Sequence, residues 1–411
     1  MIKFVHTADT HFGIENYGKI DQKTGIHSRL LDFNKAFKFC VDTAIEKNVD
    51  FFLFCGDAYK TIHPTPTQQK FFMQNLLQLH KAKIPIVLIV GNHDHPLSFG
   101  KATSLEVFGD LPLDGFHFVS KPQILTLKTK SGPIQIVGIS WPTRNSIAVS
   151  SKHLDKTATE ITTYISKAVG DIISNLADKL DPKLPAVLAG HLTISSGVFS
   201  GSEKRAIYGA DPVLLPSQLA IKPFDYVALG HLHRHQNLNK NGIPIIYSGS
   251  VERIDFGERN EDKGFCIVSI ESNKTTSYEF IKTPTRPFVQ IEVKIGKDKN
   301  QTESILNEIK KHKINEAIVK IIYHVPEGKK DSVDLIKIQK ACLTAWHIVG
   351  IIPIIKATTR TKRMSVSSHT PLEELLETYF SAKTELNDSK SELIKKSLAL
   401  YEQAREQEEN V

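Results

Sequence analysis

Five short motifs within the first 235 residues place aspartate, asparagine or histidine directly after an apolar run. They read Asp9-Thr10-His11, Gly56-Asp57, Gly91-Asn92-His93-Asp94, Gly190-His191 and Gly230-His231-Leu232-His233. In four of the five, glycine stands immediately before the first polar residue, where it lets the backbone turn sharply without a Cβ in the way. Residues two apart in an extended chain point the same way. The side chains of Asp9 and His11 can therefore reach the same site, and so can those of His231 and His233. The pattern predicts a single site assembled from five loops.

The candidate ligands offer oxygen and nitrogen donors and no thiolate. They are Asp9, His11, Asp57, Asn92, His191, His231 and His233. This donor set favours manganese, iron or zinc over calcium, magnesium or copper(I). Seven ligands are too many for one tetrahedral ion but suit two ions that share a carboxylate. Two divalent ions with two aspartates leave a net charge of +2, which attracts a phosphodiester, and ions ~3.5–4 Å apart can generate hydroxide and hold the attacking and leaving oxygens.

A single histidine is more often structural than metal-binding, and we interpret His6 and His95 as structural. Five strand ends that carry donors together indicate a metal site far more strongly than any one of them does.

The apolar runs before the motifs predict the elements that position them. Strands are expected at residues 2–7, 50–55, 84–90, 134–140, 185–189, 225–229 and 243–247. Helical periodicity lies between several of these strands: at 30–47, from a Thr65-Pro66 start, and across roughly 154–180. Alternating strands and helices predict an α/β domain, in which sites form at the carboxyl ends of strands. The strands are too numerous for one simple sheet.

A second unit is expected after the proline-punctuated linker at 283–287. Its pattern is strand 289–295, helix 301–313, strand 317–325, helix 332–346 and strand 350–357. A basic stretch follows, and then a charged helical tail that begins at Thr370-Pro371, carries an apolar stripe and is broken by polar residues around Asn387-Asp388-Ser389. We predict three segments: 1–283, 284–358 and 359–411.

Composition limits the class of protein. The chain has 411 residues, of which 40% are hydrophobic and 24% charged, as in an ordinary globular protein. No stretch approaches the ~20 apolar residues of a membrane span, and the N-terminus lacks a signal-peptide layout. Four widely spaced cysteines predict reduced thiols in an intracellular protein. The net charge is +7, and because the last 40 residues carry ten acidic and five basic side chains, the rest carries +12, which suits a polyanionic partner.

The five motifs resemble, in order and spacing, those of the calcineurin-like metallophosphoesterase superfamily. More narrowly, HTADTHFG and the stretch YSGSVERIDFGE…KGF from Tyr247 to Phe265 are similar to the SbcD nuclease family, which includes the archaeal and eukaryotic meiotic-recombination-eleven nucleases. The resemblance covers the first 283 residues, and the next segment corresponds in position to a DNA-capping domain. It implies an α/β fold of two packed mixed β-sheets flanked by helices, a small α+β capping domain and a helical C-terminal tail.

The resemblance also implies roles for single residues. One metal is held by Asp9, His11, Asp57 and His233, and the other by Asp57, Asn92, His191 and His231, with Asp57 bridging. His93 matches the family's catalytic histidine, which orients the scissile phosphate or protonates the leaving oxygen. Ala58-Tyr59-Lys60 departs from the usual family sequence, which leaves open whether Lys60 binds phosphate or is a solvated loop lysine. The implied cofactor is two divalent metal ions, with Mn²⁺ expected.

The leading hypothesis is a metal-dependent DNA exonuclease or endonuclease that acts at DNA ends in break or hairpin processing. The resemblance implies a homodimer that works in the cytoplasm, associated with the nucleoid and not with a membrane, together with SbcC, a coiled-coil ABC-type ATPase bound by the tail. Two alternatives remain open: a phosphatase of the same superfamily with the same ligands, and a metal-free scaffold, which the intact donor set disfavours. The tail has its own alternative, in which its helices pack back on the body or fray.

Overall fold

The computed structural model describes residues 1–95, 101–110, 113–143, 157–201, 211–355, 371–381 and 389–408. The described residues divide into two compact units. The first takes Met1–Val293, Thr302–Ile322 and Asp334–Ile352, and the second takes the described parts of Lys294–Gln301, Tyr323–Val333 and Pro353–Val411. The expected borders at 283 and 358 stay predictions. No described helix is both long enough and apolar enough to cross a membrane.

One mixed sheet of six strands carries the first three motifs. With strands numbered along the chain, its spatial order is β14 (Thr276–Lys282), β13 (Gly264–Ile270), β1 (Ile2–Thr7), β2 (Phe51–Phe54), β3 (Ile86–Ile89) and β4 (Phe116–Val119). β1 to β4 pair in parallel, whereas β13 pairs antiparallel with both β1 and β14. The carboxyl ends of β1, β2 and β3 therefore emerge side by side.

A second mixed sheet of six strands carries the other two motifs. Its order is β11 (Gln236–Asn237), β12 (Ile245–Tyr247), β10 (Tyr226–Gly230), β7 (Ala186–His191), β6 (Gly132–Ile139) and β5 (Gln123–Thr129). β6, β7, β10 and β12 pair in parallel, and β5 and β11 are antiparallel edges. A separate short pair joins β8 (Thr193–Ile194) to β9 (Val213–Leu214). β7 and β10 are parallel neighbours, so their ends also meet.

The two sheets pack face to face through a mainly apolar layer that includes Phe4, Leu53, Val187 and Ala228. His6, which is buried in the same layer, lies 3.0 Å from the Tyr226 hydroxyl and 3.1 Å from the Leu229 carbonyl oxygen of the other sheet. Helices cover the outer faces: α1 (Ser28–Glu46) and α2 (Pro66–Lys81) on the first sheet, and α4 (Ala158–Ala177) on the second. The short helices α3 (Glu106–Gly109) and α5 (Pro216–Leu219) complete this part. The expected fold of two packed mixed sheets flanked by helices is confirmed.

The helix starts follow local capping chemistry. Thr65 caps α2 as expected, and its side chain and that of Gln68 form a reciprocal capping box. Thr157 caps α4 in the same way, so the helix begins at Ala158, whereas 154–156 of the expected range lie outside the described residues.

The α+β segment after the linker forms a three-stranded sheet in the order β15 (Phe288–Lys294), β16 (Ile318–Val325), β17 (His347–Ile355), with helices α6 (Gln301–Ile309) and α7 (Leu335–Ala341). The helix expected across 332–346 is wrong in length. The Ala317 carbonyl accepts hydrogen bonds from the backbone N–H groups of Trp346 (2.8 Å) and His347 (3.4 Å), which draws the chain into the sheet. The last residues of β17's expected range, 356 and 357, lie outside the described residues.

The tail contains the two expected helices, α8 (Leu372–Ser381) and α9 (Lys390–Glu408). Lys390 Nζ lies 3.6 Å from Glu377 Oε1 and links them. No residue of α8 is buried, and the apolar side chains of Tyr379 and Leu400 are exposed. The expected cap Thr370 and the polar break at Asn387 and Asp388 lie outside the described residues.

Candidate metal centre

The five motifs meet where the carboxyl ends of β1, β2 and β3 lie against those of β7 and β10. The donors follow or end β1 (Asp9, His11), β2 (Asp57), β3 (Asn92, His93), β7 (His191) and β10 (His231, His233). All the aspartate and histidine candidates for ligation are buried, whereas Asn92 and His93 are partly exposed. The fold therefore brings together the seven predicted ligands and His93.

Four of these residues have a left-handed backbone. The φ angles are 54° at Asp9, 43° at His11, 59° at Asp57 and 105° at His231. Positive φ is uncommon for residues other than glycine and costs about 1–3 kcal/mol each. Such conformations persist only where the surrounding structure holds them, and here they turn the side chains inward.

Two of the motif glycines are required by close approach. A Cβ on Gly91 would lie 2.1 Å from Asp57 Oδ1, and a Cβ on Gly230 would lie 2.1 Å from the Cys55 carbonyl oxygen. Neither contact is sterically possible, so no other residue fits these positions without movement of the loops.

Asp57 lies at the middle of the site. Its Oδ1 accepts a hydrogen bond from the His93 N–H at 2.9 Å. Its Oδ2 lies 3.6 Å from His11 Nε2 and 3.4 Å from His191 Nε2. Burial alone would raise the pKa of Asp57, but His191 and His93 hold that pKa well below its usual value. Asp57 is therefore an ionised carboxylate with one oxygen directed at histidines from both sheets.

One donor group consists of Asp9, His11 and His233, whose ligand atoms all lie within 4.8 Å of one another. His11 Nε2 is 3.0 Å from His233 Nε2. Two imidazole nitrogens this close repel if both present lone pairs, so a proton or a cation must lie between them. Burial lowers the pKa of His11 well below its usual value, which favours the neutral form that binds cations. Burial raises the pKa of Asp9 to about 7.

The other donor group consists of Asn92, His191 and His231. Asn92 Oδ1 is 2.9 Å from His191 Nε2 and 3.2 Å from His231 Nδ1. His191 Nδ1 donates to the Cys55 carbonyl at 2.7 Å, which leaves Nε2 directed at the site. Burial lowers the pKa of His191, but the Asp57 carboxylate outweighs it and raises this pKa to about 9. A cation that binds here must displace a proton from Nε2.

The residues fit a pair of divalent cations. Three sets of groups place their ligand atoms within 4.8 Å: Asp9, His11 and His233; His11, Asp57 and His93; and Asp9, Asp57 and His191. Mixed carboxylate and imidazole donors suit ions such as Mn²⁺ or Zn²⁺. His93 belongs to one of these sets, although sequence analysis assigns it to chemistry and not to coordination.

His93 and Lys60 adjoin each other at the same site. His93 Nδ1 lies 2.8 Å from the Lys60 carbonyl oxygen, which can only accept, so Nδ1 donates. The His93 ring packs edge-on against His11 with centroids 5.0 Å apart. The charge of Lys60 adds to the larger effects of burial, His233 and His93 in lowering the pKa of His11.

Three carboxylates that were not among the predicted site residues lie directly behind the site. Asp94 accepts hydrogen bonds from the backbone N–H groups of Asp57 (2.7 Å), Ala58 (3.0 Å) and Gly91 (3.1 Å), and so ties two of the loops. Asp211 Oδ2 lies 3.5 Å from His231 Nε2, and Glu258 Oε1 lies 2.9 Å from His233 Nδ1. Asp94 could have been found as the last residue of its motif, but nothing local marks Asp211.

Comparison with known proteins identifies relatives of this chain. The family model described as calcineurin-like phosphoesterase matches residues 2–235. A protein of Staphylococcus epidermidis, named as the SbcD component of the SbcCD nuclease, is 29% identical over 294 residues, which cover 71% of this chain and 72% of that protein. The protein of the same name from Staphylococcus saprophyticus is 26% identical over 318 residues, 76% of each chain. The resemblance read from the motifs is confirmed.

Among solved structures, a dimetal phosphatase from Danio rerio is 9% identical, with a TM-score of 0.37, over 68% of this chain and 95% of that one. This likeness is too weak to support any argument.

Proposed function

The chain belongs to the calcineurin-like phosphoesterase family, and on that premise we propose that it is a metal-dependent DNA nuclease. As a member of this family it is a hydrolase of phosphoester bonds that uses divalent metal ions. Similarity to two proteins named as the SbcD component of the SbcCD nuclease supports DNA as the substrate. The net charge of +12 outside the last 40 residues supports a polyanionic substrate as well.

The observation that carries this proposal is the position of Asp57 Oδ2 between the two donor groups, within 3.6 Å of His11 Nε2 and 3.4 Å of His191 Nε2. We assign Asp9, His11, Asp57 and His233 to one ion, and Asp57, Asn92, His191 and His231 to the other. Two bound ions, which we expect to be Mn²⁺, supply an activated water and stabilise charge on the phosphate. The protein holds their ligands on five fixed strand ends.

His93 acts on the substrate. Because its Nδ1 donates to the Lys60 carbonyl at 2.8 Å, its Nε2 is the atom available to the scissile phosphate. In the proposed role, His93 orients that phosphate or protonates the leaving oxygen. In the same proposal, the exposed side chain of Lys60 attracts a phosphate of the DNA backbone as a point charge.

The proposed setting is a complex in the cytoplasm, close to the nucleoid. The relatives are named as one component of SbcCD, which supports a partner like SbcC, and the exposed apolar side chains of α8 and α9 support the tail as its docking element. A homodimer is part of the same proposal.

A paired assay tests the activity. EDTA-treated protein is supplied with Mn²⁺ or Mg²⁺ and offered linear duplex DNA or a generic phosphatase ester. We expect DNA cleavage that is faster with Mn²⁺, because histidine-rich sites suit manganese better than magnesium. Asp57→Ala is the control and should lose both ions and all activity. Rapid ester hydrolysis with intact DNA would instead identify a phosphatase, and no turnover of either would identify a scaffold.

A further inference from the structure

A buried pair of opposite charges lies behind His233. Glu258 Oε1 lies 2.9 Å from His233 Nδ1, and Glu258 Oε2 lies 2.9 Å from Lys263 Nζ. Lys263 Nζ also donates to the carbonyl oxygen of His233 at 2.9 Å. The side chains of Glu258 and Lys263 have no exposed surface, and protein groups lie within hydrogen-bonding distance of both charges.

Local structure directs Glu258 inward. Asp255 Oδ1 accepts from the Gly257 N–H at 2.6 Å and begins a 3-10 turn at Phe256–Glu258. The Ile254 N–H donates to Glu258 Oε2 at 2.9 Å. Each oxygen of the carboxylate thus has a defined partner, with Oε2 taken by two donors and Oε1 left for His233.

Stability alone does not explain this pair. Buried ion pairs are often no more stabilising than apolar side chains of similar volume, because desolvation offsets their attraction. Glu258 Oε2 lies 2.9 Å from the Lys263 ammonium and accepts from the Ile254 N–H at 2.9 Å, an environment that fits a charged carboxylate. A fixed negative charge aimed at one ring nitrogen is what a histidine ligand needs.

We propose that Glu258, anchored by Lys263, is a positioning residue that sets the tautomer and ring orientation of His233 for cation binding. A carboxylate can only accept, so His233 Nδ1 carries the proton and Nε2 presents its lone pair. Nε2 is the atom 3.0 Å from His11 Nε2, and it therefore faces the centre. The inference rests on the proposed role of His233 as a metal ligand.

The substitution Glu258→Gln tests the tautomer directly. Lys263 Nζ and the Ile254 N–H both require the single remaining oxygen, so the amide nitrogen turns toward His233. A donor at that place obliges Nδ1 to accept, and the ring proton moves to Nε2, where it blocks the cation. We expect ¹⁵N NMR of the histidine-labelled, EDTA-treated variant to show His233 changed from the Nδ1–H to the Nε2–H form. Because one proton lies between the two Nε2 atoms, His11 should change in the opposite direction.

Metal affinity is the second readout. Calorimetric titration with Mn²⁺ should show one of two sites weakened roughly 10–100-fold in Glu258→Gln. The matched control is Glu261→Gln, because Glu261 Oε2 also pairs with Lys263 Nζ, at 3.1 Å. This control should keep the wild-type tautomer and both affinities. A folded Glu258→Gln with both properties unchanged would overturn the proposal.

Glu258→Asp covers the case in which the glutamine variant does not fold. The shorter carboxylate keeps its charge and remains an acceptor but retracts from Nδ1, so the tautomer stays and Mn²⁺ affinity at one site falls. Unchanged affinity in that variant would count against positioning. None of these measurements involves DNA, so failure of the nuclease proposal in the substrate assay leaves this inference standing, and the reverse also holds.

Discussion

At the scale of single residues, His93 is the group for which a role in chemistry can be tested separately from metal binding. We predict that His93→Asn retains two Mn²⁺ ions per chain by elemental analysis, because the seven other donors remain. Cleavage of linear DNA should fall roughly 10²–10⁴-fold through loss of a positioned acid or phosphate-binding group.

His95→Asn, two residues along the same loop, is the control and should cleave at close to the wild-type rate. Loss of bound metal from His93→Asn would show instead that His93 is a ligand, which its place beside His11 and Asp57 makes a real alternative. Full activity would remove His93 from the mechanism.

The pKa shifts of His191 and Asp57 predict how the stability of the metal-free protein depends on pH. In EDTA-treated protein the pKa of His191 rises from 6.5 to about 9, so its contribution to stability is complete below pH 6.5 and is lost as pH rises through about 9. The pKa of Asp57 lies well below 3.8, so its contribution is present above pH 3.8 and is lost only in stronger acid.

Thermal unfolding from about pH 6 to 10 checks this. We expect the Tm of EDTA-treated protein to fall across this range, while the Tm increase caused by Mn²⁺ grows because fewer protons must be displaced. His191→Asn should flatten the EDTA profile. A wild-type profile with no slope between pH 7 and 10 would contradict the raised pKa.

The convergence of the candidate donors was predictable from sequence, because each follows an apolar run and most follow glycine. That they bind metal stays a prediction. The roles of the carboxylates behind them were not predictable, although Asp94 itself stands in one of the motifs. Glu258 is 25 residues from His233 along the chain, and Asp94 acts on backbone N–H groups of a different strand end. These roles depend on which segments the fold brings together, and periodicity along a chain carries no such information.

At the scale of elements, the turn after β3 has no room for a side chain at Gly91. We predict that Gly91→Ala displaces Asp57, since its Cβ would lie 2.1 Å from Asp57 Oδ1. The variant should lose bound Mn²⁺ and unfold at lower temperature, with a destabilisation of about 1–3 kcal/mol, as is usual for overpacking.

Gly296→Ala is the matched control, because its Cβ would meet only Lys299 side-chain atoms, at 3.6 and 3.7 Å. It should keep its metal and its Tm. Wild-type metal content in Gly91→Ala would show that the two loops can separate without harm to the site.

Most central strands were easier to predict than edges, although β13, which is central and almost fully buried, was not proposed. β1, β2, β3, β7 and β10 are almost fully buried and read as continuous apolar runs. β5 and β14 lie at sheet edges with half-exposed residues, and sequence analysis did not propose them. An edge strand is fixed by pairing with its neighbour more than by its own side chains, so its signal in a sequence is weak.

At the scale of the whole molecule, the tail is expected to act apart from the catalytic body. Truncation after residue 368 should leave a folded nuclease that binds metal but no longer co-purifies with the SbcC-like ATPase. The reason is that α8 buries no residue, which leaves its apolar stripe available to a partner.

A point variant sharpens this test in the full-length chain. Tyr379→Glu places a charge at a side chain that is 59% exposed and should weaken the pull-down. Glu373→Gln, in the first turn of the same helix, is the control and should not. Undiminished capture of the ATPase by the truncated protein would refute the docking role.

The backbone conformation of Asp9, His11, Asp57 and His231 has a consequence for the balance between stability and function. All four lie at positive φ, which a side chain opposes and glycine does not. Glycine at His11 or His231 would relieve this opposition but would also remove a candidate cation ligand, so stability and function oppose each other at these positions. The chain therefore keeps its candidate metal centre at the expense of heat resistance.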